Sequence, residues 1–79
     1  MPRILALADL PVGTRAVVER VVAREAAGPR LLDLGFLPGT RVEVLRRAPL
    51  GDPRVYELRG VQLCLRRREA AAVQVRADG

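Results

Sequence analysis

Histidine, lysine and serine are absent from this 79-residue chain, and cysteine occurs once, as Cys64. Each absence removes a class of chemistry. Without histidine and with a single thiol, the usual zinc, haem and iron–sulfur ligand sets cannot be assembled within one chain. One cysteine also excludes an internal disulfide framework, which fits a reducing compartment. A nucleophile–base pair built on histidine is impossible, and the only threonines, Thr14 and Thr40, fall at turns. The nine carboxylates are scattered with no recognisable catalytic setting. The chain therefore reads as a non-enzyme, with no catalytic, cofactor-binding or metal-ligating residues. Long apolar runs are missing too, where a bilayer-crossing helix needs roughly 20 such residues. The run from Ile4 to Ala8 ends at Asp9 and is too short for a signal peptide, so the expectation is a cytoplasmic protein.

What is present is an apolar fraction of 49% beside 29% charged residues, the balance of a folded domain. All fourteen basic residues are arginine, set against nine acids for a net charge of +5. An all-arginine, alanine-rich composition often reflects codon usage, so charge alone is no nucleic-acid signature. An acidic partner, an anionic membrane surface and a nucleic acid are all electrostatically allowed.

No linker, repeat or low-complexity stretch interrupts the chain, and residues 1–79 read as one domain of short segments punctuated by proline and glycine. Leu10-Pro11-Val12-Gly13-Thr14 is a turn into a valine-rich strand at residues 15–23, whose Val-Val pairs leave its inward face unassigned. Gly28 is placed to cap a helix of about two turns that starts at Pro29 and stops at Gly35. Phe36-Leu37-Pro38-Gly39-Thr40 is a second turn, and Val42 and Val44 alternate with Arg41 and Glu43 in the strand that follows. A loop with two prolines leads to strands at residues 54–58 and 61–65, joined by a tight Arg59-Gly60 hairpin. One helical turn at residues 66–71 precedes a last strand at residues 72–76. Five short strands with one helix inserted after the first predict a mainly β, SH3-like barrel with a helical turn before the last strand. OB-type barrels also have five strands but place their helix between the third and fourth.

Leu31, Leu34 and Phe36 are expected in the core, with Gly35, Pro38 and Gly39 supplying backbone geometry. Cys64 is expected to be a small buried or half-buried hydrophobe. Two segments have both a structural and a functional reading. Pro49, Leu50, Gly51, Asp52 and Pro53 form a stiff connection that also suits partner contact, because prolines lower the entropic cost of ordering a loop. Arg66, Arg67 and Arg68 form either a solvated face or a docking point for an acidic surface or lipid phosphates, extended by Arg46 and Arg47 if the strands adjoin.

The run Arg30-Leu31-Leu32-Asp33-Leu34-Gly35-Phe36-Leu37-Pro38-Gly39-Thr40 resembles the helix-and-turn signature of the FeoA family. Ala48-Pro49-Leu50-Gly51-Asp52-Pro53 stands at the matching distance downstream. Leu63-Cys64-Leu65-Arg66-Arg67-Arg68-Glu69-Ala70 is similar to that family's closing strand and turn, and Leu7-Ala8-Asp9-Leu10-Pro11-Val12-Gly13 fits its opening. The resemblance implies an SH3-like barrel and a small cytoplasmic accessory protein of bacterial ferrous-iron uptake. Its implied partner is a membrane ferrous-iron transporter carrying a cytosolic GTPase domain, through which it would be peripheral to the membrane. No small-molecule substrate is implied, and iron is the cargo of the pathway and not a ligand of this chain. A monomer or weak homo-oligomer is expected. The contact surface is expected at Leu37 and Pro38, Pro49 to Pro53, and Arg66 to Arg68. The other reading is a small basic nucleic-acid-binding barrel, against which stands the scarcity of aromatics for base stacking, Phe36 and Tyr56 only.

Overall fold

The computed structural model describes residues 2–22 and 27–78. Six strands form one antiparallel sheet in the order β1-β6-β2-β3-β4-β5. They are β1 (Pro2–Ala6), β2 (Arg15–Val21), β3 (Arg41–Arg47), β4 (Arg54–Leu58), β5 (Val61–Leu65) and β6 (Val73–Asp78). A 3-10 turn, Leu7–Asp9, follows β1, helix α1 (Gly28–Leu34) separates β2 from β3, and α2 (Arg67–Ala70) separates β5 from β6.

The mainly β, SH3-like class expected from the chain is the one observed, and each of the five expected strands is present. The sixth, β1, was not marked by any local signal. It is an edge strand held by long-range pairing, Pro2 opposite Asp78 through Ala6 opposite Gln74, and its turn chemistry lies elsewhere in the chain. The two sheet edges are each followed by a helical turn. Those two turns, Leu7–Asp9 after β1 and α2 after β5, pack on one another, and Arg67 reaches Asp9 across them at 3.6 Å. The gap between the edges is thus spanned by side chains rather than by a ladder.

Inside, Leu7, Leu31, Phe36, Val44, Tyr56 and Leu65 are completely buried among the β-branched residues of β2, β3 and β6. Ala16 and Val18 are the inward residues of β2, which settles its facing, and a bulge falls between Val18 and Arg20. Arg59 and Gly60 both take positive φ, 54° and 80°, the geometry of the two-residue hairpin turn that matches strand twist.

Three expectations about single residues are corrected. Gly28 is the first helical residue, not the cap; Ala27 precedes it as the cap, and Pro29 stands in the first turn, where its missing N–H leaves no helical bond unmade. Leu34 is 38% exposed while Leu31 and Phe36 are fully buried. The reason is Gly35: at φ 109° it ends α1 in a left-handed conformation and swings the chain so that Phe36 fills the core in place of Leu34. A Cβ at Gly35 would stand 3.3 Å from Leu58 Cδ2, so glycine is required there on two counts. Cys64 is exposed, because strand alternation turns Leu65 into the core and leaves the thiol on the outer face of the edge strand β5.

Candidate functional site: a cationic rim around a hairpin tip

The β3–β4 hairpin closes through a six-residue loop, residues 48–53, in which the Ala48 N–H donates to Pro53 O at 2.9 Å and the Gly51 N–H to Ala48 O at 2.7 Å. At its apex Leu50 is 97% exposed, the most exposed large apolar side chain described. Asp52 turns back into the molecule and accepts the backbone N–H of Arg67 at 2.9 Å, which locks the loop to the start of α2. Glu69 completes that junction: one oxygen accepts the Arg66 backbone N–H at 2.9 Å and the other pairs with the Arg30 guanidinium. Fifteen residues of sequence separate Asp52 from Arg67; the β3–β4–β5 register brings the loop's neck beside the end of β5, and this bond fastens the loop itself to the arginine cluster.

Arg54, the first residue of β4, ties this end to the amino-terminal segment. Its guanidinium donates to Leu10 O at 2.6 Å, to Leu7 O at 2.7 Å and to the Tyr56 hydroxyl at 3.0 Å. It also stands 5.3 Å from the Tyr56 ring centre, within cation–π range. Burial raises the pKa of the Tyr56 phenol above its ordinary value, and the hydrogen bond and positive charge of Arg54 oppose that rise only in part. Arg54 is thus a structural cross-tie whose charge is already engaged.

Around it the arginines have a different employment. On one flank of the loop a groove is lined by Leu50, Gly51, Val12, Arg46, Arg47 and Arg67; on the other a depression is lined by Asp52, Arg66, Arg67, Arg68 and Ala71. Arg67 belongs to both, so the loop is a ridge between two cationic hollows. Asp9, Asp52 and Glu69 are the acids at this end, and all three are occupied: Asp9 by Arg67, Asp52 by the start of α2, and Glu69 by Arg30 and the Arg66 N–H. Among the described residues Arg46, Arg47, Arg66 and Arg68 have no carboxylate in ion-pair range, and Arg46 reaches only the Gln62 amide oxygen, at 3.4 Å.

Of the residues singled out from the chain, Pro49 to Pro53 and Arg66 to Arg68 come together here. Arg46 and Arg47 adjoin them. Leu37 and Pro38 do not: they precede β3, whereas the loop follows it, so the two groups stand at opposite ends of a seven-residue strand, about 20 Å along its length. Val12 and Arg54 join the site without having been anticipated. Their partners lie more than thirty residues away in the chain, beyond any local signal.

The surface offers binding chemistry. Guanidinium forks suit anionic oxygens, and Leu50 supplies an apolar point among them. Phe36 and Tyr56, the two aromatic rings, are both wholly buried, so neither can stack on a base. Among the described residues no group of three or more histidine, cysteine, aspartate or glutamate side chains is placed to hold a metal ion.

Comparison with known proteins adds to this geometry. Residues 5–77 match the family model described as the FeoA domain. An Fe(2+) transport protein A/Fe(2+) transporter FeoB fusion protein of Porphyromonas gingivalis is 38% identical over 69 residues, 87% of this chain but 8% of the fusion protein. The chain therefore spans only a small fraction of that relative. The solution structure of an FeoA-like protein from Clostridium acetobutylicum superposes with a TM-score of 0.90 at 28% identity, covering 98% of this chain and 90% of the other. Stenotrophomonas maltophilia FeoA, solved with zinc and described as a procaryotic SH3 domain protein, gives a TM-score of 0.80 at 36% identity, covering 90% of this chain and 88% of that one.

Proposed function

The chain belongs to the FeoA family, a family of small accessory domains associated with ferrous iron transport and not a known enzyme family, and from that premise we propose that it binds the cytosolic, GTPase-bearing part of a membrane ferrous-iron transporter and regulates it. The observation that carries the reading is the Porphyromonas gingivalis fusion, in which a segment similar to nearly this whole chain is covalently part of a protein named for the transporter FeoB. A covalent tether holds a domain at high effective concentration beside its neighbour, which favours a contact between the two. The effect proposed is a shift in the transporter's conformational populations. That requires different affinities for two of the transporter's states.

The contact residues assigned to this role are Leu37 and Pro38 at one end of β3, and Pro49, Leu50, Gly51, Asp52, Pro53, Arg66, Arg67 and Arg68 at the other. A partner touching both sets must span the strand. The deciding experiment is binding of the purified protein to the full-length ferrous transporter of the same organism in detergent, with GDP and with a GTP analogue. Saturable binding that differs between nucleotides supports the regulatory reading and yields the coupling free energy directly. Equal binding in both removes the nucleotide linkage and leaves a scaffold. Absence of binding by folded protein overturns the pairing.

A further inference from the structure

We infer that the tip of the β3–β4 hairpin docks directly on an anionic lipid surface, with Leu50 entering the headgroup boundary and Arg46, Arg47, Arg66 and Arg68 meeting lipid phosphates. This goes beyond attachment to the membrane through a transporter and departs from the contact assignment above: it gives Leu50, Arg66 and Arg68 to the bilayer and leaves Leu37 and Pro38, at the far end of β3, to a protein partner. The observation behind it is the coincidence of two features at one tip. One is an apolar side chain held at the apex of a loop at 97% exposure, with Val12 of the neighbouring turn also exposed at 43%. The other is a pair of cationic hollows on both flanks of that loop, with four arginines lacking a carboxylate partner among the described residues.

The shape favours a plane over a folded acidic partner. A protein would need a pocket matched to one protruding leucine and separate acids on either side of the ridge. A bilayer accepts an isolated apolar tip wherever it lands and presents phosphates on all sides of it. The guanidinium fork pairs with phosphate oxygens, and an arginine-lined rim keeps its charge in the headgroup layer while the leucine goes deeper. The loop is also built to withstand insertion, since Asp52 pins it to α2 and the Ala48 to Pro53 bond closes its neck.

The test uses the intact chain and vesicles of phosphatidylcholine alone or mixed with phosphatidylglycerol, read by flotation. Retention on the mixed vesicles, absent on the neutral ones and weakened by salt, is the expected result. Partitioning falls about fivefold for each of Arg46→Ala and Arg47→Ala. Leu50→Asp lowers it about tenfold or more, and because Leu50 is solvated its replacement leaves the circular dichroism spectrum unchanged. The chain has no tryptophan, so Leu50→Trp is a lone fluorescent reporter that shifts to the blue on mixed vesicles, while Leu37→Trp, at the far end of β3, does not. No flotation by folded protein, flotation indifferent to Leu50→Asp, or a blue shift at Leu37→Trp would each overturn the inference. So would retention on random RNA at the same salt without vesicle binding, which reassigns the rim to nucleic acid.

Discussion

The two ends of β3 carry similar sequence, Leu37-Pro38-Gly39 before the strand and Pro49-Leu50-Gly51 after it, and the fold uses them in opposite ways. Before the strand the turn is stitched to β2: Gly39 donates its N–H to Val18 O and Thr40 O accepts the Val18 N–H, both at 2.8 Å. After the strand the loop has no strand beside it and is fastened instead by the Asp52 side chain. Leu37 is 43% exposed and Leu50 97%. The lesson is that a Leu-Pro-Gly combination specifies a reversal of direction and nothing more. Whether the reversal is scaffold or contact surface is decided by what the backbone finds to bond with, and by the charges that other segments bring alongside.

That contrast can be broken most severely at its rigid end. Gly35→Val places a β-branched residue at φ 109° with its Cβ against Leu58, and should cost about 3 kcal/mol in urea denaturation. Next in size, Arg54→Leu removes the donors of two backbone carbonyls and of the Tyr56 hydroxyl, for about 2 kcal/mol by the same assay. The Tyr56 phenol then sharpens the account of Arg54. Its pKa is raised in the fold, so the neutral phenol contributes stability that is complete below the ordinary phenol value and is lost as pH rises through the raised one. The denaturation midpoint should therefore fall in alkali, and fall less in Tyr56→Phe. At the loop end, Asp52→Ala should lose about 1 kcal/mol by freeing the start of α2. Leu50→Ala and Arg47→Ala should stay within about 0.5 kcal/mol, because both side chains are solvated.

How much of this was legible in the chain follows the same division. The turns at Gly13, Gly35 and Gly60 were readable because positive φ is a local demand that glycine announces. The alternation of Val42 and Val44 was readable because period two survives in any half-buried strand. Strand β1 was not, since its reason for being a strand is β6, more than sixty residues on. Leu34 was misplaced because helical spacing carries no record of where Gly35 turns the chain, and Cys64 because neighbours of equal hydropathy hide which face is inward. At the candidate site, the proximity of Arg46, Arg47 and Arg66 comes from the β3–β4–β5 register, Arg47 opposite Arg54 and Arg54 opposite Leu65, a tertiary fact. Arg54 was read only as a strand residue, although its donors serve carbonyls more than forty positions earlier.

The pairing of β1 with β6 sets Pro2 directly across from Asp78. Any chain leading into this barrel and any chain leading out of it therefore share one doorway, a few ångströms apart. A module with a shared doorway can be spliced into a longer polypeptide, cut free from it, or circularly permuted, without opening its sheet. The hairpin tip and its arginines would keep their geometry through such changes of ownership, which makes the barrel a transferable part.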